Sequence, residues 1–333
     1  MRFSVLDLSP IASGQSASDA LRNTVDLARH AESLGAARYW LAEHHNAGSL
    51  ASSAPEIMIG QVGAATRTMR VGSGGMMLPN HAPLKVAELF RVLGALFPGR
   101  VDLGIGRAAG TDPRTAAALR GARGPSSDDF PRQMEELTHY LDEDSPPRGP
   151  FAGTIRAIPF GVPTPELWIL GSSDYGGAYA ARHGLPFAFA KHINPRDAEA
   201  VLRAYRRDFR PSARLAAPRS MVAISAICAD TDADARDLDH AAQVGFLQFV
   251  KGLRDLPMPS LADAKATVFD DDDRALLAAQ GGRTIAGTVD VVRRELAELV
   301  RTCEVDEVMV LTHVHDHDAR KRSYARLAEA VAS

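Results

Sequence analysis

The chain has 333 residues, 45% hydrophobic and 24% charged, which is ordinary globular composition and enough for one large α/β barrel or two smaller domains. A formal net charge of −3 supplies no basic field for nucleic acid or an anionic membrane surface. The two cysteines, Cys228 and Cys303, fall in no metal-binding spacing, and there is neither a signal-peptide pattern nor an apolar span of ~20 residues, so a soluble, reduced, cytoplasmic protein is expected.

Residues 3–8 form a short apolar run, followed by a loop at 9–17. Ser18 or Asp19 can cap a helix whose residues Ala20, Leu21, Val25, Leu27, Ala28, Ala31 and Leu34 recur at near-helical spacing. Gly35 ends that helix as a C′ glycine does. The next apolar run, 39–42, breaks abruptly into Glu43-His44-His45. Further strands are expected at 69–73, 100–105, 166–170, 185–190, 221–228 and 305–311. Helices are expected at 54–65, 83–96, 131–141, from about Tyr175, and at 195–209, 232–250, 289–302 and 318–331. The stretch 74–81 between the third strand and its helix reads as flexible chain.

Eight short apolar strands alternating with helices specify a parallel sheet covered on both faces. That count, with no long dividing linker, favours an α/β fold of the closed (β/α)8 TIM-barrel type over a doubly wound sheet. The whole chain, 1–333, then forms a single domain. Segments 142–165 and 254–288 exceed ordinary loops and read as insertions at the carboxyl-terminal face, the second as a lid.

In such a barrel, function sits at the carboxyl ends of the strands. Those ends carry Ser9-Pro10, Glu43-His44-His45, Gly74-Gly75-Met76, Gly106-Arg107, Gly171-Ser172-Ser173, Lys191-His192 and Thr312-His313. A carboxylate beside two imidazoles is costly to bury unless it is used or well paired. Gly171-Ser172-Ser173 before an Ala-rich helix can seat a phosphate on exposed N–H groups, and it can equally be a plain N-cap and turn. Arg107 at a neighbouring strand end would supply a fixed positive fork, or else a surface ion pair. Gly72, Gly74 and Gly75 permit close approach of a flat ligand, or simply a loop. His313, His315 and His317 resemble a metal string, but no HExxH or cysteine pair accompanies them, and Asp316 and Asp318 also read as N-caps.

Five stretches, ARYWLAEHHN, VGSGGMMLPNHAPLKVAE, GRVDLGIGR, LGSSDYGGAYAARHGLPFAFA and VDEVMVLTHVHDHDARKRSY, together resemble the bacterial luciferase-like flavin-dependent monooxygenases. The closest likeness is to the single-chain luciferase-family oxidoreductases. It spans residues 3–331 and is weakest in 142–165 and 254–288. The resemblance implies a barrel that binds reduced FMN supplied by a separate flavin reductase. Oxygen would form a flavin C4a-(hydro)peroxide that attacks an aldehyde, ketone or other small organic acceptor. It implies His44 as catalytic acid/base, titrating near neutral pH. It places Glu43, Gly74, Gly75, Gly106, Arg107, Gly171, Ser172 and Ser173 around the cofactor, with no metal. Arg107, Ser172 and Ser173 fall where the family holds the FMN phosphate, and Gly74-Gly75 where it has a non-prolyl cis peptide beneath the ring. Luciferase α-subunits carry a reactive cysteine where this chain has Gly106, so light emission is not implied. The family's homodimers pack the helices at 54–65 and 83–96. A deazaflavin-dependent hydride-transfer oxidoreductase on the same fold is the alternative, and a metal-dependent hydrolase built on His313, His315 and His317 a further one.

Overall fold

The structure, a computed structural model, describes residues 1–121, 126–142, 155–279, 281 and 284–332. Its strands are β1 (Arg2–Asp7), β2 (Arg38–Leu41), β3 (Arg70–Met77), β4 (Val101–Gly106), β5 (Glu166–Gly171), β6 (Phe187–Ala190), β7 (Ser220–Cys228), β8 (Thr284–Gly287) and β9 (Glu307–Leu311). The helices that follow β1 to β5 are α1 (Ala17–Ser33), α2 (Pro55–Ala65), α3 (Pro83–Leu96), α4 (Pro113–Arg120), α5 (Phe130–Leu141) and α6 (Asp174–His183). After β6 come α7 (Ala198–Asp208), α8 (Asp232–Val250), α9 (Leu261–Ala266), α10 (Asp271–Ala279), α11 (Val289–Cys303) and α12 (His317–Ala332).

Neighbouring strands are parallel in the order β6-β5-β4-β3-β2-β1-β9-β7, and β6 also pairs with β7, which closes eight strands into a barrel. The expected (β/α)8 fold is the observed one. β2, β4, β7 and β9 are buried along their whole length, because helices cover one face and side chains fill the other. Leu27, Ile59, Phe90, Leu202, Leu296 and Leu327, one from each of six helices, pack on the outer face of the sheet. Each such side chain contributes about 1.5–3 kcal/mol of burial.

Several boundaries differ from those read in the sequence. The cap of α1 is Ser16, whose side chain accepts from Asp19 N while the Asp19 carboxylate accepts from Ser16 N, a reciprocal capping box. β3 continues into the stretch read as flexible, as far as Met77, because Met76 and Met77 resume pairing with β4 after a register shift at Gly74, and a 3-10 turn at Leu78–Asn80 follows. The strand β8 lies inside the 254–288 segment and pairs only with the outer half of β7, from Ser225↔Thr284 to Cys228↔Gly287. Its four residues are too few to announce a strand. The helix α4 was also missed; Asp112 caps it by accepting from Arg114 N and Thr115 N. Of the 142–165 insertion, residues 143–154 lie outside the described residues.

Inside the barrel, Leu6, Trp40, Trp168, Ala188, Met221, Ala223, Met309 and Leu311 form one cluster. Below it, at the strands' amino-terminal ends, Arg38 pairs with Asp102 at 2.8 Å and with Glu166 and Glu307 at 3.1 Å. Arg70 Nε donates to Asp102 at 2.7 Å, Trp40 Nε1 to Asp102 at 2.9 Å and Trp168 Nε1 to Glu166 at 2.6 Å. Buried charges persist because each is paired and hydrogen-bonded. This ionic floor seals the lower end, so the interior opens toward the carboxyl ends of the strands.

Candidate active site

A cavity of about 1130 Å³ lies at those carboxyl ends, larger than the ~300–1,000 Å³ of a typical small-molecule site. His44, Gly74, Gly75, Gly106, Arg107, Gly171, Ser172, Ser173, His192 and His313 all line it. Strand closure thus brings together residues as far apart in sequence as His44, Ser172 and His313.

On the β4–β5 side, the Arg107 guanidinium lies 3.9 Å from the centroid of the Tyr175 ring. Among the described residues no carboxylate pairs with it. Next to it α6 begins at Asp174, and its N-cap Ser173 makes no side-chain capping bond, so the first N–H groups of the helix stay available. Asn194 Nδ2 holds the Ser172 carbonyl at 2.8 Å and fixes the turn. Gly171 and Gly176 let strand and helix approach: a Cβ on either would lie 3.4 Å from the other's Cα.

Toward β3, the Gly74–Gly75 peptide is cis. A Cβ on Gly74 would meet Leu6 at 2.8 Å and Trp40 at 2.9 Å, and one on Gly75 would meet the Gly104 carbonyl oxygen at 2.9 Å. A Cβ on Gly106 would meet Met77 Sδ at 2.8 Å. Larger residues would therefore displace the floor of the cavity.

At the end of β2 the three polar residues separate. His44 lines the cavity, its N–H bonded to the Ser52 carbonyl at 3.0 Å, while its Nδ1 is sealed from solvent and has no protein partner. Burial pulls its pKa down to about 4, against the opposing charge of Glu43. The expectation that His44 titrates near neutral pH is therefore corrected: this imidazole is neutral at pH 7.

Glu43 does not line the cavity; it is fully buried behind it. Its carboxylate accepts from Met77 N at 2.8 Å, His45 Nε2 at 2.8 Å, His81 Nε2 at 2.9 Å and Asn80 Nδ2 at 3.3 Å. Burial alone would raise its pKa, but these donors, His81 foremost, hold it below the usual range. His81 is desolvated too, yet its hydrogen bond to Glu43 and the attraction of that charge raise its pKa. The reading of Glu43 as a cofactor contact gives way to a tie between the ends of β2 and β3. His81 and Asn80 were missed because nothing in MMLPNHAP reveals a partner 38 and 37 residues upstream.

The histidines after β9 do not converge. His315 Nε2 faces Ser13 Oγ at 2.9 Å, and His317 Nε2 bonds Asp26 at 2.8 Å. Among the described residues no cluster of three metal-type ligands occurs, so the hydrolase alternative lacks its ligand set.

The roof extends beyond the 254–288 segment. α8, read as an ordinary barrel helix, places Asp239, Gln243, Phe246 and Phe249 on the cavity, while Ala241 and Val244 pack on Ala264, Leu261 and Phe269. Residues 254–258 are strapped to the loops after β1 and β2: Ser49 N donates to the Arg254 carbonyl, and Ser13 N and Met258 N pair with Met258 and Ile11 carbonyls, each at 2.9 Å. Arg120 on α4 also lines the cavity and donates to Asn80 Oδ1 at 3.0 Å.

A closed parallel barrel with a cofactor-sized cavity at its carboxyl strand ends has the layout of a barrel enzyme. The chain belongs to the luciferase-like monooxygenase family, which it matches over residues 1–304, and it is an oxidoreductase of that family. It is 42% identical to a luciferase-like monooxygenase of Escherichia coli (strain K12), over 97% of this chain and 94% of the relative. The crystal structure of apo-MsnO8 superposes with a TM-score of 0.90 at 37% identity, covering 99% of this chain and 98% of that one. More distant structures share the fold alone. One is the oxygenating constituent of 3,6-diketocamphane monooxygenase from Pseudomonas putida in complex with FMN (TM-score 0.73, 19% identity, 100% and 98% covered). Another is an F420-dependent secondary alcohol dehydrogenase (TM-score 0.68, 15% identity, 99% and 98% covered). Among the described residues no helix is long and apolar enough to cross a membrane.

Proposed function

We propose that the chain is an FMN-dependent monooxygenase that receives reduced flavin from a separate reductase and uses O2 to oxygenate a small organic acceptor. The observation that carries this reading is the meeting, in one cavity, of an arginine with no carboxylate partner among the described residues, at an uncapped helix start, and an imidazole whose Nδ1 is sealed from solvent and has no hydrogen-bond partner among those residues. The chemistry of these groups suits FMN. Arg107, Ser172, Ser173 and the N–H groups of α6 would hold its phosphate. Gly74, Gly75 and Gly106 leave the floor free of side chains where its ring would lie, and Gly171 lets α6 approach the strand. Reduced FMN, when bound, supplies the electrons and the activation of O2.

The residues of the chain then divide the remaining work. His44, neutral at pH 7, can take a proton on its imidazole and return it. Glu43 holds Met77 and His81, so it fixes the floor segment without touching the reacting atoms. Phe246, Phe249 and the 254–258 strap exclude water from the cavity. A homodimer through 54–65 and 83–96 is part of the reading, since Ile57, Val92 and Leu96 on α2 and α3 are 63%, 49% and 63% exposed.

The test is an anaerobic titration of the purified protein with reduced FMN and, separately, with the reduced deazaflavin F420, followed by admission of oxygen. Binding of reduced FMN, with oxygen consumption that depends on an added acceptor, is expected. Binding of the deazaflavin alone would reject the reading in favour of hydride transfer. Light scattering on a sizing column checks the dimer.

A further inference from the structure

Two polar side chains on the cavity wall have no role in the reading above, and each carries a buried oxygen without a hydrogen-bond partner among the described residues. Asp239 Oδ1, on α8, is shielded from solvent and receives no hydrogen bond, while Oδ2 is fixed by Gln243 Nε2 at 2.7 Å. Ser225 Oγ, on β7, is also without a partner, in a residue only 4% exposed. Both residues line the cavity, as does Gln243. A carboxylate oxygen and a hydroxyl withdrawn from water cost free energy until something bonds to them.

Their position separates them from the cofactor groups. Going round the barrel, β7 is four strands from β3 in either direction. The glycine floor and the anion seat belong to β3, β4 and β5, so the β7–α8 side is left for the acceptor. That side also carries apolar wall, with Phe246, Phe249, Met309 and Leu311, beside the polar Gln248 and Thr284. An ionised carboxylate only accepts hydrogen bonds, whereas a serine hydroxyl can donate or accept.

We infer that Asp239, oriented by Gln243 and accompanied by Ser225, is the specificity determinant for an acceptor that carries a hydroxyl or amide N–H on an apolar body. This rests on the cavity holding the acceptor beside the cofactor. A simple aliphatic aldehyde or ether leaves Asp239 unanswered, and a site with a buried polar group discriminates against ligands that cannot pair with it. Burial holds the Asp239 carboxyl above its usual range, with the Gln243 hydrogen bond opposing in part, as befits an oxygen that still lacks a donor.

The test uses two isomers of equal size that differ in one donor, 1-octanol and 1-methoxyheptane. Their affinities are measured by ligand-observed NMR on the full chain, with and without saturating oxidised FMN. The alcohol is expected to bind at least tenfold more tightly than the ether, as for a hydrogen bond to a charged group. Asp239→Leu is expected to reduce that preference to twofold or less, and Ser225→Ala to reduce it partially. Equal affinities on the wild-type protein, including no binding of either, would overturn the inference. So would a preference that survives Asp239→Leu. Should Asp239→Leu fail to fold, the wild-type pair and Ser225→Ala still decide: wild-type equality, or a wild-type preference that Ser225→Ala leaves unchanged, would overturn the inference. FMN titration of the same samples judges the cofactor reading separately, since loss of FMN binding leaves the alcohol–ether comparison intact.

Discussion

His44 offers the sharpest test of how the fold sets the chemistry, because burial makes a numerical claim. Its folded pKa is about 4, against about 6.5 in an unfolded chain. Between those values the unfolded state binds the proton first, so the stability tied to a neutral His44 is complete above pH 6.5 and is lost as pH falls toward 4. Integrating that difference from pH 8 to pH 5 gives about 2 kcal/mol. A 333-residue chain, unfolding with roughly 2.1 cal/mol/K per residue, shifts by about 1.4 °C in Tm per kcal/mol. His44→Gln, which keeps a polar side chain of similar volume but does not titrate, should therefore lose about 3 °C less than the wild-type chain between pH 8 and pH 5. Calorimetric or fluorimetric melts in half-unit pH steps measure this. The acid limb of kcat/KM should likewise lie near pH 4–5 and not near 6.5. Parallel acid losses of Tm in both proteins, or an activity limb at 6.5, would refute the claim that this imidazole is neutral because it is buried.

The other expectations are more direct. Arg107→Ala removes the fixed cation at the start of α6 and should weaken FMN binding about 10- to 100-fold, measured by flavin fluorescence, with little change in Tm; unchanged affinity places the phosphate elsewhere. Glu43→Ala strands Met77 N–H, His45 and His81 together and should cost about 3–5 kcal/mol, or roughly 4–7 °C. Because His81 is raised by Glu43, its share of that stability is present below pH 6.5 and fades as pH rises through its folded value, so the gap between wild type and Glu43→Ala should narrow at alkaline pH. A gap that does not vary with pH would mean that His81 is not charged by Glu43. Asp102→Ala leaves Arg38 and Arg70 without their shared carboxylate in the barrel floor and should also cost about 3–5 kcal/mol. FMN affinity, read at a temperature where the variant is folded, should change little.

The sequence by itself determined the architecture. Most barrel strands are short apolar runs alternating with helices, and that alternation admits few parallel arrangements, so the closed (β/α)8 fold could be read from local pattern. The glycines and polar residues at the strand ends could be read too, because the fold dictates that those ends share one mouth. What the tertiary structure decided are the quantities that depend on residues distant along the chain. Glu43 left the cavity because Met77, Asn80 and His81 surround it from the next strand. His44 became neutral because burial, and not its residue type, sets its pKa. The three histidines near the carboxyl terminus parted because Ser13 and Asp26 each claim one. Asp239 faces the cavity because a small apolar cluster packed on α8 turns that helix over the barrel mouth. Local pattern specifies which elements form, while solvent exclusion and long-range pairing specify which side chains face a ligand, and these exist only once the barrel has closed.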